Sequence, residues 1–318
     1  MFMAQSDSEF EKLKREVLST AEDSALAASA GSPAVPLEKI AATVGISSIR
    51  VEPLLSLAGL EVLGQTFVIW LNADARQVNL PENAQLDLND ARWRTLSSSI
   101  RFHVAHEIAH ALFIKRAGRS TMLDKEIDEL ERACDEAAGI MLLPKQRLRD
   151  TVGEKILSVG HVWGVIQSAQ VTPETFIHRL RIIKDEEICH EPRGGVLAVV
   201  REEAYGLDVA AYHSWGTFAK VRFGDSRLPR ASDANMLKSW RIDDSVNSEL
   251  WQRDEYSDDK MQILSPDGAN YLPCELRIKR VHREKPRGFL LSLRILGQAM
   301  RTGVADVIRV RQADTPTS

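Results

Sequence analysis

Two histidines four residues apart, with a glutamate beside the first, interrupt a stretch that is otherwise apolar: His106-Glu107-Ile108-Ala109-His110. Ile100, Val104, Ala105, Ile108, Ala111 and Leu112 recur at the helical period and predict a long buried helix from about Ser97 to about Ala117-Gly118. Residues four apart share one helical face, so both imidazoles can reach a single ion. A plain core helix with two satisfied histidines is the bland alternative. It is disfavoured because the apolar neighbours already supply the packing, and burying two imidazoles and a carboxylate without a metal is costly. The HExxH pattern therefore predicts zinc on His106 and His110, with Glu107 placed to take a proton from a water that the ion activates. Zinc is the usual partner of such donors, although Mn²⁺ or Fe²⁺ could occupy the same set.

A catalytic zinc needs a third protein ligand and an open position. The position six beyond His110 is Arg116, so no third histidine follows at that spacing. A second helix is expected from about Asp124 to Leu143, stopped by Pro144, and it carries Glu126, Asp128, Glu129, Glu131, Asp135 and Glu136. Leu130, Cys134, Ala137 and Met141 form its inward stripe. Glu131 flanks that stripe, with small residues Cys134 and Ala138 following, whereas Glu129 and Glu136 fall more nearly opposite. Spacing alone leaves the choice open, because acidic residues on a helix are often only its solvated face.

Upstream, Ser8 to Ala30 reads as a helix, broken at Gly31-Ser32-Pro33. Val35 to Val44 reads as a short one closed by Gly45, and Phe67 to Leu71 as a buried strand. Val159 to Lys184 reads as helix, turn, helix, with Thr172 as N-cap and Pro173 at the first helical position. After a linker at Lys184 to Gly195 the period becomes two. Val196 to Val200 and Phe218 to Phe223 are expected strands, and Cys274 to Ile278 with Phe289 to Ile295 an expected hairpin. That hairpin carries Arg277, Lys279, Arg280, His282, Arg283, Lys285 and Arg287, most simply a charged, solvated edge.

The stretch Arg101 to Phe113, followed by Glu131 to Pro144, resembles the ImmA/IrrE metallopeptidase family. Val35 to Ile46 and the strand Phe67 to Leu71 are similar to that family's lead-in. The resemblance implies Glu131 as the third zinc ligand. His103 stands where threonine is commoner in the family, and Asp135 where asparagine is usual. The order of segments is also similar to the radiation-response members. It implies an α+β chain with a helical zincin-like domain and small sheet over 1–150, a helix-turn-helix-like helical module over 151–188, and a C-terminal α/β GAF-like domain over 189–318. It further implies a protein substrate, a small XRE-type transcriptional repressor cut in a stress or mobile-element response.

Bulk composition sets the remaining bounds. Three cysteines, Cys134, Cys189 and Cys274, with no CxxC pair, argue against a disulfide framework or thiolate ribbon and for a reducing, cytoplasmic setting. No apolar run approaches the roughly 20 residues needed to span a bilayer, so no membrane association is expected. A net charge of −4 gives no overall pull toward nucleic acid, and Thr172-Pro173-Glu174-Thr175 lacks the basic start of a recognition helix. Direct DNA binding is not expected. The rival reading is a non-catalytic, metal-stabilised regulator that binds a repressor or DNA. The oxyanion-stabilising group is open, with His103, His161 or an arginine as candidates.

Overall fold

The structure, a computed structural model, describes residues 9–75, 78, 80–117, 127–152, 158–183, 194–203, 206–216, 255–264, 270–282, 288–295 and 300–301. Its class is α+β, with seven α-helices and two sheets among the described residues. The chain divides into two compact units, Met1–Leu148 with Ile166–Arg179, and Arg149–Val165 with Leu180–Ser318. The segment 151–188, expected as a helical module of its own, is shared between them. No described helix is long and apolar enough to cross a membrane.

In the first unit, α1 (Glu9–Ala28) buries Phe10, Val17, Ala21, Ala25 and Ala28, one face at helical spacing. Phe10 stacks on Phe113 with ring centroids 6.3 Å apart. Helix α2 (Leu37–Val44) ends at Gly45, whose φ of 94° is the left-handed cap that a side chain would strain. A four-stranded sheet follows, made of β1 (Ile46–Glu52), β2 (Ala58–Leu63), β3 (Thr66–Asn72) and β4 (Gln85–Asp87), in the order β2-β3-β1-β4. Strands β1 and β3 are parallel and the other pairs antiparallel. Ile49, Val51, Ile69, Leu71 and Leu86 are fully buried and form its core face. The sequence signalled only β3, because the other strands lack its unbroken apolar run.

Two helices carry the expected centre. Helix α3 (Ser98–Ala117) packs against α1, α2, β2 and β3, and against α4 (Ile127–Leu142). The expected start of α4 near Asp124 and the candidate Glu126 fall in residues 118–126, which lie outside the described residues. Ala133, Cys134, Ala137, Ala138 and Gly139 are buried on α4, and their small size allows close helix packing.

Buried arginines fix this unit from two sides. Arg101, 2% exposed, donates from Nη2 to the Val35 carbonyl at 2.7 Å. Arg179, on α7 (Pro173–Ile182), donates from Nε to the Leu143 carbonyl at 2.9 Å and from Nη2 to Glu22 at 3.1 Å. Glu22 also accepts from the Lys145 backbone N–H, at the start of α5 (Lys145–Thr151). Helix α6 (Val159–Ala169) precedes α7, whose Thr172 caps it as expected, accepting from Thr175 N at 3.1 Å.

The second unit contains an antiparallel six-stranded sheet: β5 (Gly194–Glu203), β6 (Gly206–Gly216), β7 (Glu255–Leu264), β8 (Asn270–His282), β9 (Gly288–Ile295) and β10 (Met300–Arg301). The order is β10-β8-β9-β5-β6, with β7 also paired to β8. The expected hairpin strands pair as β8 and β9, while its connection, 283–287, and the expected strand 218–223 lie outside the described residues. Consecutive residues Leu197 to Val200 on β5 and Phe289 to Ser292 on β9 are buried, so both central strands are covered on both faces. The basic hairpin is not a free edge. Strand β8 is paired on both sides, Arg280 is buried, and Arg277 donates to Glu275 at 2.6 Å.

Candidate metal centre

On α3, His106 and His110 sit one turn apart with ring centroids separated by 4.7 Å. Their Nε2 atoms are 3.0 Å from each other. From α4, Glu131 brings Oε2 to 3.1 Å from His106 Nε2, and Oε1 to 3.3 Å from His110 Nε2. These three residues form the one group among the described residues whose donor atoms, all within 4.8 Å of one another, could hold a metal ion. Zinc bonds nitrogen at about 2.0–2.1 Å, so donors on a tetrahedron stand about 3.3–3.4 Å apart. The observed spacings are those of a donor set closed around a small cation, within a few tenths of an ångström. The residues fit the ion that the sequence predicts.

The other acidic candidates on α4 do not converge there. Glu136 pairs with Lys14 at 2.9 Å, and Asp128 and Glu129 are exposed in the first turn. Asp135 does reach the centre, but from behind: its Oδ1 accepts from His106 Nδ1 at 2.8 Å. That bond places the proton on Nδ1 and turns the Nε2 lone pair toward Glu131 and His110, the arrangement by which carboxylates orient metal-binding imidazoles. Sequence reasoning placed Asp135 among possible ligands and missed this role. Its position four residues after Glu131, one turn along the same face, was the available signal.

Electrostatics separate the two rings. Burial works against a charged His106, but the Asp135 hydrogen bond and the charges of Asp135, Glu107 and Glu131 outweigh it and raise its pKa. Burial and then the neighbouring His106 push His110 down, against the pull of Glu131. Glu107 is buried, and burial lifts its carboxyl to about 7, with His106 opposing the rise and Glu131 adding to it. A proton acceptor poised near neutrality suits general base work. Burial also raises the Cys134 thiol, so it stays protonated between the carboxylates. The side chains of Glu131 and Asp135 are 49% and 58% exposed, against 14% for His106, which opens the centre on its α4 side.

His103 lies on α3, half-buried, with Phe102 edge-on to its ring. His161 belongs to the second unit, and its Nε2 donates to the Thr151 carbonyl at 2.6 Å.

No protein-family model matches the chain, and no curated protein matches it. A solved Mycobacterium tuberculosis transcriptional regulator is similar to it at 15% identity and a TM-score of 0.45, over 89% of this chain and 79% of that one. The reading of the centre rests on its own geometry.

Proposed function

We propose that the chain is a zinc-dependent endopeptidase that cleaves a small XRE-type transcriptional repressor in a stress or mobile-element response. The observation that carries the peptidase reading is the convergence of His106, His110 and Glu131 at metal-ligand spacing beside the buried Glu107 carboxyl. The repressor as substrate rests on the family resemblance. So do the zincin-like, helix-turn-helix-like and GAF-like descriptions of the domains, whereas the cytoplasmic setting rests on the cysteine usage.

In this reading His106 Nε2, His110 Nε2 and a Glu131 oxygen hold the metal, with Mn²⁺ or Fe²⁺ as substitutes for zinc. A divalent ion there supplies Lewis-acid polarisation of the peptide carbonyl and makes a nearby water more acidic. Asp135 keeps His106 in the tautomer that presents Nε2. Glu107 takes the proton from the attacking water and passes it to the leaving amine, a role that its raised pKa supports.

The test is incubation of purified protein with a candidate repressor, with and without chelator. Discrete fragments that vanish with chelator are expected. A stable complex without fragments would establish the rival regulator that binds and does not cut.

A further inference from the structure

Glu131 meets the two imidazoles with different oxygens. Its Oε2 stands 3.1 Å from His106 Nε2, and its Oε1 stands 3.3 Å from His110 Nε2. A carboxylate that lends an ion one oxygen turns that oxygen toward the other donors and gives its second to a hydrogen-bond donor. Neither condition holds for Glu131. Each of its oxygens faces one ring, and among the described residues no lysine, arginine, hydroxyl or backbone N–H is bonded to either. The carboxylate is therefore broadside to the imidazole pair, with both oxygens available to the same ion. The rings leave space for this arrangement. Their Nε2 atoms are 3.0 Å apart, closer than the about 3.3–3.4 Å of a tetrahedral edge, so the two nitrogens take up less of the ion's surface. Asp135, one turn along α4, bonds His106 Nδ1 at 2.8 Å and so fixes the ring that faces Oε2.

We propose that Glu131 is a chelating ligand that grips the ion through both carboxylate oxygens. His106, His110 and Glu131 then supply two nitrogens and two oxygens, and an open position brings the total to about five. That count exceeds what a tetrahedral zinc site provides. It suits ions that accept five or six ligands, so the centre admits Mn²⁺ and Fe²⁺ as well as zinc. The proposal rests on the reading of these residues as a metal centre, and adds how the carboxylate binds and why further ions fit.

The test uses the full-length protein loaded with zinc and, separately, with Co²⁺. Its Glu131→Gln variant, whose amide offers an ion only the carbonyl oxygen, is treated alike. Zinc X-ray absorption reads the number of near neighbours, and a chelating carboxylate brings its carbon closer to the ion than a one-oxygen ligand does. The visible bands of Co²⁺ are several-fold weaker with five or six ligands than in a tetrahedron. Wild type should show about five nitrogen and oxygen neighbours, the short ion-to-carbon distance and weak Co²⁺ bands. Glu131→Gln, loaded at raised ion concentration, should lose the short carbon distance and gain several-fold in band intensity. A wild type with only the four neighbours of a tetrahedral site and intense Co²⁺ bands would overturn the proposal, as would a variant with unchanged spectra. Should Glu131→Gln hold no ion, the wild-type spectra decide alone. A wild type that takes up neither ion overturns the metal centre and this proposal together. A chelated ion in a protein that cuts no repressor refutes the peptidase reading and leaves this one standing.

Discussion

Asp135 Oδ1 stands 2.8 Å from His106 Nδ1, on the side of the ring away from Glu131, so one imidazole is held between two carboxylates of the same helix. Helix α4 thus contributes both a candidate ligand and the group that orients its neighbour, one turn apart.

Asp135→Ala should lower zinc affinity about 10–100-fold, the usual effect of removing such a partner. Asp135→Asn, which can still accept at Nδ1–H through its carbonyl, should lose less. Competition titration with a fluorescent zinc chelator measures both. Equal affinity for Asp135→Ala and wild type would show that the hydrogen bond does not orient the ligand.

Glu107→Gln should retain zinc and lose at least about 10²-fold in cleavage, because the amide cannot accept the proton. Metal analysis and fragment appearance on a gel report the two separately. Zinc loss in this variant would instead make Glu107 a ligand.

Glu131→Ala should lose zinc, while Glu136→Ala should keep it and lose only the surface pair with Lys14, worth about 0–1 kcal/mol. Metal content after dialysis distinguishes them. The reverse pattern would sink the ligand assignment.

Chelation should lower the melting temperature, and added zinc should restore it in proportion to the logarithm of its free concentration, since the ion binds the native chain preferentially. Calorimetry across a zinc series checks this. His110→Ala should show no such dependence.

Arg179→Ala should destabilise the first unit by about 2–3 kcal/mol, leaving the Leu143 carbonyl and Glu22 without their buried partner. Urea unfolding of the full chain, followed by tryptophan fluorescence, measures the loss. Gly139 lies opposite this arginine: a Cβ there would meet Arg179 Cδ at 3.9 Å, ordinary contact, so Gly139→Ala should be far milder.

The sequence by itself determined the local chemistry. The spacing of His106 and His110 puts two imidazoles on one face, Gly45 ends α2, Thr172 starts α7, and the alternating residues of β8 and β9 form a ladder. Each follows from covalent geometry and the period of one element, which a linear pattern encodes directly. Strands β1, β2 and β4 escaped it because none carries an apolar run like that of β3.

Only the tertiary structure decided which of the five described acidic candidates approach the imidazoles, that Asp135 stands behind His106, and that Arg101 and Arg179 are buried. It also placed β8 inside its sheet, where an exposed basic edge was expected. The physical reason is common to all of these. Spacing along one element fixes which side chains share a face, but the partner that a face meets depends on how separate elements pack, and that depends on contacts far apart in the chain.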